Sequence, residues 1–520
     1  MEEVAWATTA CMVVTVILTL IGVWKMLNRL WLRPKKLEML LRKQGLRGSP
    51  YRFLVGDIKE MLKMGKEAQS KPMTLSDDIV PRVVSFIHQK INKHGKNTFI
   101  WFGPTPRVII TDPELVKDVF FGYHDYRKVS INPLVSKLIA TGLLSHEGEK
   151  WLKHRRIINP AFNLAKLKVM LPAIFKSCYD MISKWEDMLS SDGSCEMDVW
   201  PSLQNLASDV IAQTAFGSNY EDGRRIFQLQ KEQAELTMKI IMKIFIPGWR
   251  FLPTSTRRRM KEIDTEIVAL LKAMINKREN ALKEGEATKN DLLGQLLESN
   301  RTEIQKHGNN KNMGMTLQDV IEECKLFYFA GSESTSALLV WTMVLMSRYL
   351  DWQERAREEV LQVFGKQKPD FDGLSHLKIV TMILHEVLRL YPPGTVLTRT
   401  VHEDRKLGDL TLPAGVQVSL PIVLVHHDSK LWGDDANEFN PARFSEGISK
   451  VTNGKVSFFP FGWGPRICIG QNFAMVEAKM ALSIILQHFS FELSPAYAHA
   501  PSVVRTLQPQ YGAQLILRKL

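Results

Sequence analysis

Hydrophobic and polar positions divide the chain into two unequal parts. From Val4 to Trp24 no charge interrupts a run of 21 residues, VAWATTACMVVTVILTLIGVW. At about 1.5 Å of rise per residue, such a helix just crosses a hydrocarbon core of roughly 30 Å. Glu2 and Glu3 precede the run, and Lys25, Arg29, Arg33, Lys35 and Lys36 follow it. That charge order predicts a retained single-pass anchor (4–24) with the C-terminal bulk on the cytosolic face, since a cleaved signal carries its basic block first. After a basic linker (25–45) the spacing becomes helical. Residues 230–242, 255–283 and 352–364 repeat apolar positions as amphipathic helices do. Short β-branched stretches at 107–111, 416–424 and 512–517 predict small sheets at the edge of a mainly helical body, 46–520. A polar loop at 305–315 leads into Thr316-Leu-Gln-Asp319, which resembles a capping box. The run 317–350 behind it is mostly apolar in its second half and predicts one long central helix buried on several sides.

Composition narrows the class. With 520 residues, 45% hydrophobic and 24% charged, the chain can build a large core and lacks the bias of a disordered one. Its five cysteines lie far apart, which excludes a disulfide scaffold and a zinc ribbon. The net charge of +13 suits anionic lipid and an acidic protein partner; no nucleic-acid partner is expected. No Gly-x-Gly-x-x-Gly and no phosphate loop is present, so a nucleotide must act through another protein.

The strongest chemical signal is Phe461-Gly-Trp-Gly-Pro-Arg-Ile-Cys-Ile-Gly470. An isolated cysteine is usually a small buried hydrophobe, but this one keeps unusual company. Gly464 and Gly470 allow a tight turn and close approach to a flat ligand. Arg466 brings positive charge near the thiol of Cys468, which should lower its pKa, and offers a donor to a carboxylate. Backbone amides entering the next helix, 471–486, can bond a thiolate. A lone thiolate suits the axial position of haem iron better than zinc, which needs three further ligands.

On these residues the chain resembles, over essentially its whole length, the cytochrome P-450 family of haem-thiolate monooxygenases. The resemblance implies that haem b is bound with Cys468 as the axial iron ligand. It implies a structural triad of Glu386, Arg389 and Arg443, with Ala442 where the family usually has Glu. Trp151 and Arg155, which alone read as part of an amphipathic basic helix (WLKHRR), become contacts of the haem propionates together with Arg399 and Arg466. In Ala330-Gly-Ser-Glu-Ser-Thr335, Glu333 matches the acid of the proton relay. Ser334 stands where the family has Thr, and Thr335 follows directly, leaving open which hydroxyl serves. Gly331 should make room for a ligand, because glycine inside a helix costs about 1 kcal/mol relative to alanine.

The implied reaction inserts one oxygen atom from O2 into a C–H bond, with electrons passed from NADPH by a reductase in the endoplasmic reticulum membrane. Residues 31–36, 45–51 and 459–468 resemble a plant subfamily containing secologanin synthase and oleanane triterpenoid oxidases. The tail, 491–520, is closer to the triterpenoid group. Residues 130–143, Phe329, Ala330 and 392–397, with Thr395, should line an apolar pocket for a terpenoid. Hydroxylation of an oleanane-type triterpenoid, and its further oxidation to an acid, is therefore expected. A loganin-type iridoid oxidase stays open, as does a haem-thiolate isomerase or dehydratase working without O2.

Overall fold

Thr316 starts the helix around which the others pack. Its hydroxyl accepts from the Asp319 N–H at 3.1 Å while the Asp319 carboxylate accepts from the Thr316 N–H at 3.0 Å, a closed capping box. The computed structural model describes residues 2–129, 141–217, 220–240, 254–284 and 291–520. In it the central helix runs Leu317–Arg348. Its second half is sealed: Ala337 to Met346 are all 3% exposed or less. Helix Trp200–Phe216 lies along it. A Cβ on Gly331 would fall 2.3 Å from Ile211 of that helix. Gly331 thus serves helix-to-helix packing, and the expected ligand space at this position is filled by Ile211.

Helices Tyr220–Ile240, Ser255–Lys283, Leu350–Phe364 and Gln471–His488 complete the surround. Among the described residues the largest sheet runs in the order Arg47–Gly48, Thr98–Phe102, Thr105–Ile109, Gln417–Leu420, Leu397–Val401, Tyr126–Lys128. The expected strand over 416–424 is only half right. It stops at Leu420, and Pro421, which has no N–H for the ladder, caps a short helix Ile422–His426. The stretch 512–517 is displaced slightly, to a strand Gln514–Lys519 paired with Phe489–Leu493 and Ser194–Asp198.

A buried ionic node supports the face that carries Cys468. Arg389 grips Glu386 at two points, both 2.8 Å, with neither side chain exposed. Arg443 reaches the same carboxylate at 3.1 Å. Asp435 supplies Arg443 with a second carboxylate at 2.8 Å, so the alanine at 442 leaves no charge unmatched. Arg389 also donates to the carbonyls of His426 and Glu438. The ring Nε2 of His426 in turn accepts from the Phe459 N–H at 3.1 Å. Burial holds His426 neutral, its pKa far below the usual value, as an acceptor must be.

At the other end, helix Glu2–Leu27 is long and apolar enough to cross a membrane. It continues through a wide turn, Asn28–Leu32, into Arg33–Lys43. Pro34 explains the turn: it has no N–H for the Leu30 carbonyl and its ring crowds that oxygen. The Tyr51 hydroxyl donates to the freed carbonyl at 2.7 Å.

The node gives a clear expectation. Glu386→Gln leaves the fully buried Arg389 guanidinium without a carboxylate, a change that costs about 3–5 kcal/mol. The thermal midpoint of the purified protein should fall sharply. An unchanged midpoint would show that backbone carbonyls alone hold Arg389.

Candidate functional site

The cysteine loop closes through its own backbone, with the Cys468 N–H donating to the Phe461 carbonyl at 2.9 Å. Two glycines are required by conformation, Gly462 at φ +72° and Gly464 at φ +69°. A Cβ on Gly464 would also press the Phe120 carbonyl at 3.3 Å. Gly470, expected to be the second special glycine, has an ordinary φ of −87° at the start of helix Gln471–His488. Its N–H is turned to the Cys468 sulfur.

Cys468 lies deep enough that desolvation raises its pKa, yet its surface is open. The two facts agree if the thiol faces a recess enclosed by protein. Gly470 N–H, Arg155 and Lys128 oppose the rise. Arg466 does not: its guanidinium is engaged with Glu147, donates to the His146 carbonyl at 3.0 Å and lies 4.4 Å over the Trp151 ring. The lowering of the thiol pKa expected of Arg466 is exerted instead by Gly470 N–H, Arg155 and Lys128.

Around the recess four cations converge. Helix Gly148–Ile158 carries Trp151, which is buried, and Arg155, whose Nη1 donates to the Ile467 carbonyl at 2.9 Å. Arg399 is buried on its strand, and strand register sets Lys128 directly opposite it. Desolvation, then Arg466, lowers Arg399 to about 10. Desolvation, then Arg399 and Arg466, lowers Lys128 to about 7. Glu147 is the one carboxylate near them that raises these values. Buried positive charge this poorly matched calls for an anionic ligand. A flat cofactor with two carboxylates and an iron open to a thiolate fits the donor set.

The central helix opens beside Phe162, whose ring packs on Phe327 at 5.7 Å and also lies 4.0 Å from where a Gly470 Cβ would stand. In an otherwise buried stretch, Phe329, Ala330, Gly331 and Ser334 keep exposed surface. Ser334 Oγ donates to the Ala330 carbonyl one turn back, at 2.8 Å. Thr335 is 2% exposed and turned to Glu477 of helix Gln471–His488. That contact is long or bent, since neither Glu477 oxygen has a partner of ordinary geometry. Burial keeps Glu477 protonated, far above the usual carboxyl range. Glu333 pairs with Arg505 through Oε1, while its Oε2 is buried and unpartnered. Burial raises its pKa against the pull of Arg505 and Lys231. Arg505, Lys231, Glu235 and Gln508 line a small pocket of about 160 Å³ beside it.

Lys128, Glu147 and Arg505 belong to this arrangement and carry no motif of their own. Of the expected pocket lining, 130–140 fall outside the described residues. Thr395 is 8% exposed, Gly394 is exposed, and Val396 and Leu397 are half-buried.

The Cytochrome P450 family profile matches residues 80–517. The chain is 62% identical over 519 residues to Cytochrome P450 72A68 of Medicago truncatula, covering 100% of this chain and 99% of that one. It is 59% identical over 513 residues to 11-oxo-beta-amyrin 30-oxidase of Glycyrrhiza uralensis, covering 98% of each. Among solved structures, retinoic acid-bound cyanobacterial CYP120A1 has the same fold, with TM-score 0.76 and 21% identity over 91% of this chain and 99% of that one.

The depressed Lys128 gives a pH-dependent expectation for the haem-free chain. Its folded pKa, about 7, lies below the ordinary 10.5, so between these values the unfolded state binds more protons and stability rises with pH. Below about 7 the penalty is fully present; above 10.5 it is gone. Lys128→Met should abolish this rise in chemical unfolding between pH 7 and pH 10. A slope identical to wild type would show that Lys128 is charged in both states. The cysteine loop, the converging cations and the matching fold and sequence agree: this chain is a member of the cytochrome P450 family, a haem-containing monooxygenase with an N-terminal apolar helix that fits a membrane anchor.

Proposed function

We propose that the enzyme hydroxylates a C–H bond of an oleanane-type triterpenoid at the cytosolic face of the endoplasmic reticulum, with electrons passed from NADPH by a membrane-bound NADPH–cytochrome reductase. One observation carries the substrate class: two relatives named 11-oxo-beta-amyrin 30-oxidase, 59% and 56% identical, each match at least 98% of this chain. The apolar surface of Phe329, Ala330, Val396 and Leu397 is consistent with a rigid hydrocarbon skeleton, whose burial stabilises at about 25 cal/mol per Å².

Haem bound through a thiolate supplies activation of O2 and transfer of one oxygen atom to carbon. The residues divide the remaining work. Cys468 ligates the iron, and a metal-bound thiol is deprotonated outright whatever its free pKa. Trp151, Arg155, Arg399 and Arg466, with Lys128, take the propionates. Glu333 takes and gives a proton at Oε2, while Arg505 holds Oε1 and fixes the carboxyl. Ser334, on the open face, presents the relay hydroxyl; Thr335 packs toward Glu477 instead. Serine lacks the methyl that restrains threonine, so its rotamer is less fixed.

Two measurements test these roles. In reconstituted membranes, Ser334→Ala should lower product formed per NADPH consumed, Ser334→Thr should raise it, and Thr335→Val should leave it near wild type. Loss of coupling in Thr335→Val alone would move the relay by one residue. For the substrate, β-amyrin derivatives should give NADPH- and reductase-dependent hydroxylation, reduced by about tenfold in Val396→Phe through loss of pocket volume. Turnover of loganin without any triterpenoid product would favour the iridoid reading. Turnover of a peroxide without reductase would favour an isomerase.

A further inference from the structure

Apart from the cysteine loop, the described residues bring together one set of metal-ligating groups that the haem chemistry does not use. A ring nitrogen of His146, a ring nitrogen of His154 and a carboxylate oxygen of Asp319 lie within 4.8 Å of one another. We propose that these three residues bind a divalent ion of the zinc class, which clips segment 141–147 to the start of the central helix.

The polar atoms point to an ion. Nε2 of His146 and Nε2 of His154 are both buried without a hydrogen-bond partner, and His154 is 0% exposed. The other nitrogen of His154, Nδ1, lies 2.6 Å from Glu323 Oε1. A carboxylate only accepts, so Nδ1 is the nitrogen that carries a hydrogen toward Glu323, which leaves Nε2 as the one that can ligate. That nitrogen faces Asp319 Oδ1 at 3.7 Å. Two electron-rich atoms across such a gap are reconciled by a cation between them. Glu323 then acts as the carboxylate behind a ligating histidine, which fixes the tautomer and raises ligand basicity.

The donor chemistry selects the ion. Two imidazole nitrogens and one carboxylate oxygen, with a fourth position for water, suit zinc; calcium and magnesium favour oxygen donors alone. Zinc sits about 2.0–2.1 Å from such ligands, so the set must draw inward on loading. His146 Nε2 has no hydrogen bond to break in turning toward the ion. Lys150 occupies part of the site, with Nζ 2.7 Å from Asp319 Oδ1, but its side chain is 50% exposed and can swing into solvent. The site reaches the haem recess through one covalent step: the His146 carbonyl and the adjoining Glu147 both hold Arg466.

The test uses the full-length, haem-loaded enzyme without a histidine tag, stripped with chelator and dialysed against zinc chloride, with zinc and iron counted by mass spectrometry. Wild type should take up about one zinc per haem. His146→Ala should bind about tenfold or more weakly at unchanged haem content, and Lys150→Met should bind more tightly because a competing cation is gone. If His146→Ala loses haem, Asp319→Asn replaces it as the weakened variant. Zinc-edge X-ray absorption of wild type should report imidazole nitrogen and oxygen neighbours. No zinc uptake, equal uptake in wild type and the weakened variant, or sulfur in the zinc shell would overturn the proposal.

Discussion

Positive charge removed from water with too little negative charge beside it is the constraint around which this interior is arranged. Lys128, Arg155, Arg399 and Arg466 surround the recess at Cys468, and Glu147 is the acid that faces them. Desolvating a cation is costly unless a counter-charge is close. The two propionates of haem would provide that charge, so the cofactor would complete the electrostatics of the fold as well as its chemistry. Each cation comes from a different element: a strand edge, a helix, a central strand and a loop. Strand register puts Lys128 opposite Arg399, and a slip of one residue would turn one of them away from the recess.

The central helix meets a second constraint, to be packed on every side and still leave a window. Small residues solve it. Gly331 lets Ile211 approach, and Ala330 and Ser334 leave open surface one turn apart. Ser332, Ser334 and Ser336 return their hydroxyls to carbonyls of the preceding turn, which satisfies them where water is scarce. Glu333 then points to one side of the window and Thr335 to another. Helical geometry rotates successive residues by about 100°, so three adjacent polar residues cannot share one face.

Periodicity carried much of this architecture: helix Ser255–Lys283 and the capped start at Thr316 stand where the pattern puts them. Motif resemblance brought Cys468, Trp151, Arg155, Arg399 and Arg466 to one region, though a spacing cannot say which way a guanidinium points. Arg466 looked like the group tuning the thiol, and the structure spends it on Glu147, a residue 319 positions away. Gly331 looked like room for a ligand because the partner that fills it, Ile211, lies on another helix. Arg505 was invisible for the same reason: it meets Glu333 across 172 residues of chain. Local sequence encodes element and face. Which charges meet depends on contacts that no local window contains.

The junction between anchor and body shows how one local rule can fix a global relation. Pro34 removes a helix hydrogen bond and leaves the Leu30 carbonyl bare. In a free linker water would take that carbonyl; here the Tyr51 hydroxyl does, and its ring lies 4.7 Å from Trp101 in the sheet. Arg33 adds a bond to the Ala414 carbonyl, 381 residues away, at 3.1 Å. The helix that leaves the body is therefore held by hydrogen bonds at both sides of the bend, and its direction is set by the body itself. Beside the bend, Trp31, Leu32, Met39 and Phe53 remain exposed. Aromatic and aliphatic side chains at that level favour the lipid–water boundary. The same bend that frees one carbonyl, which Tyr51 then takes, thus sets the direction in which the apolar helix leaves the body.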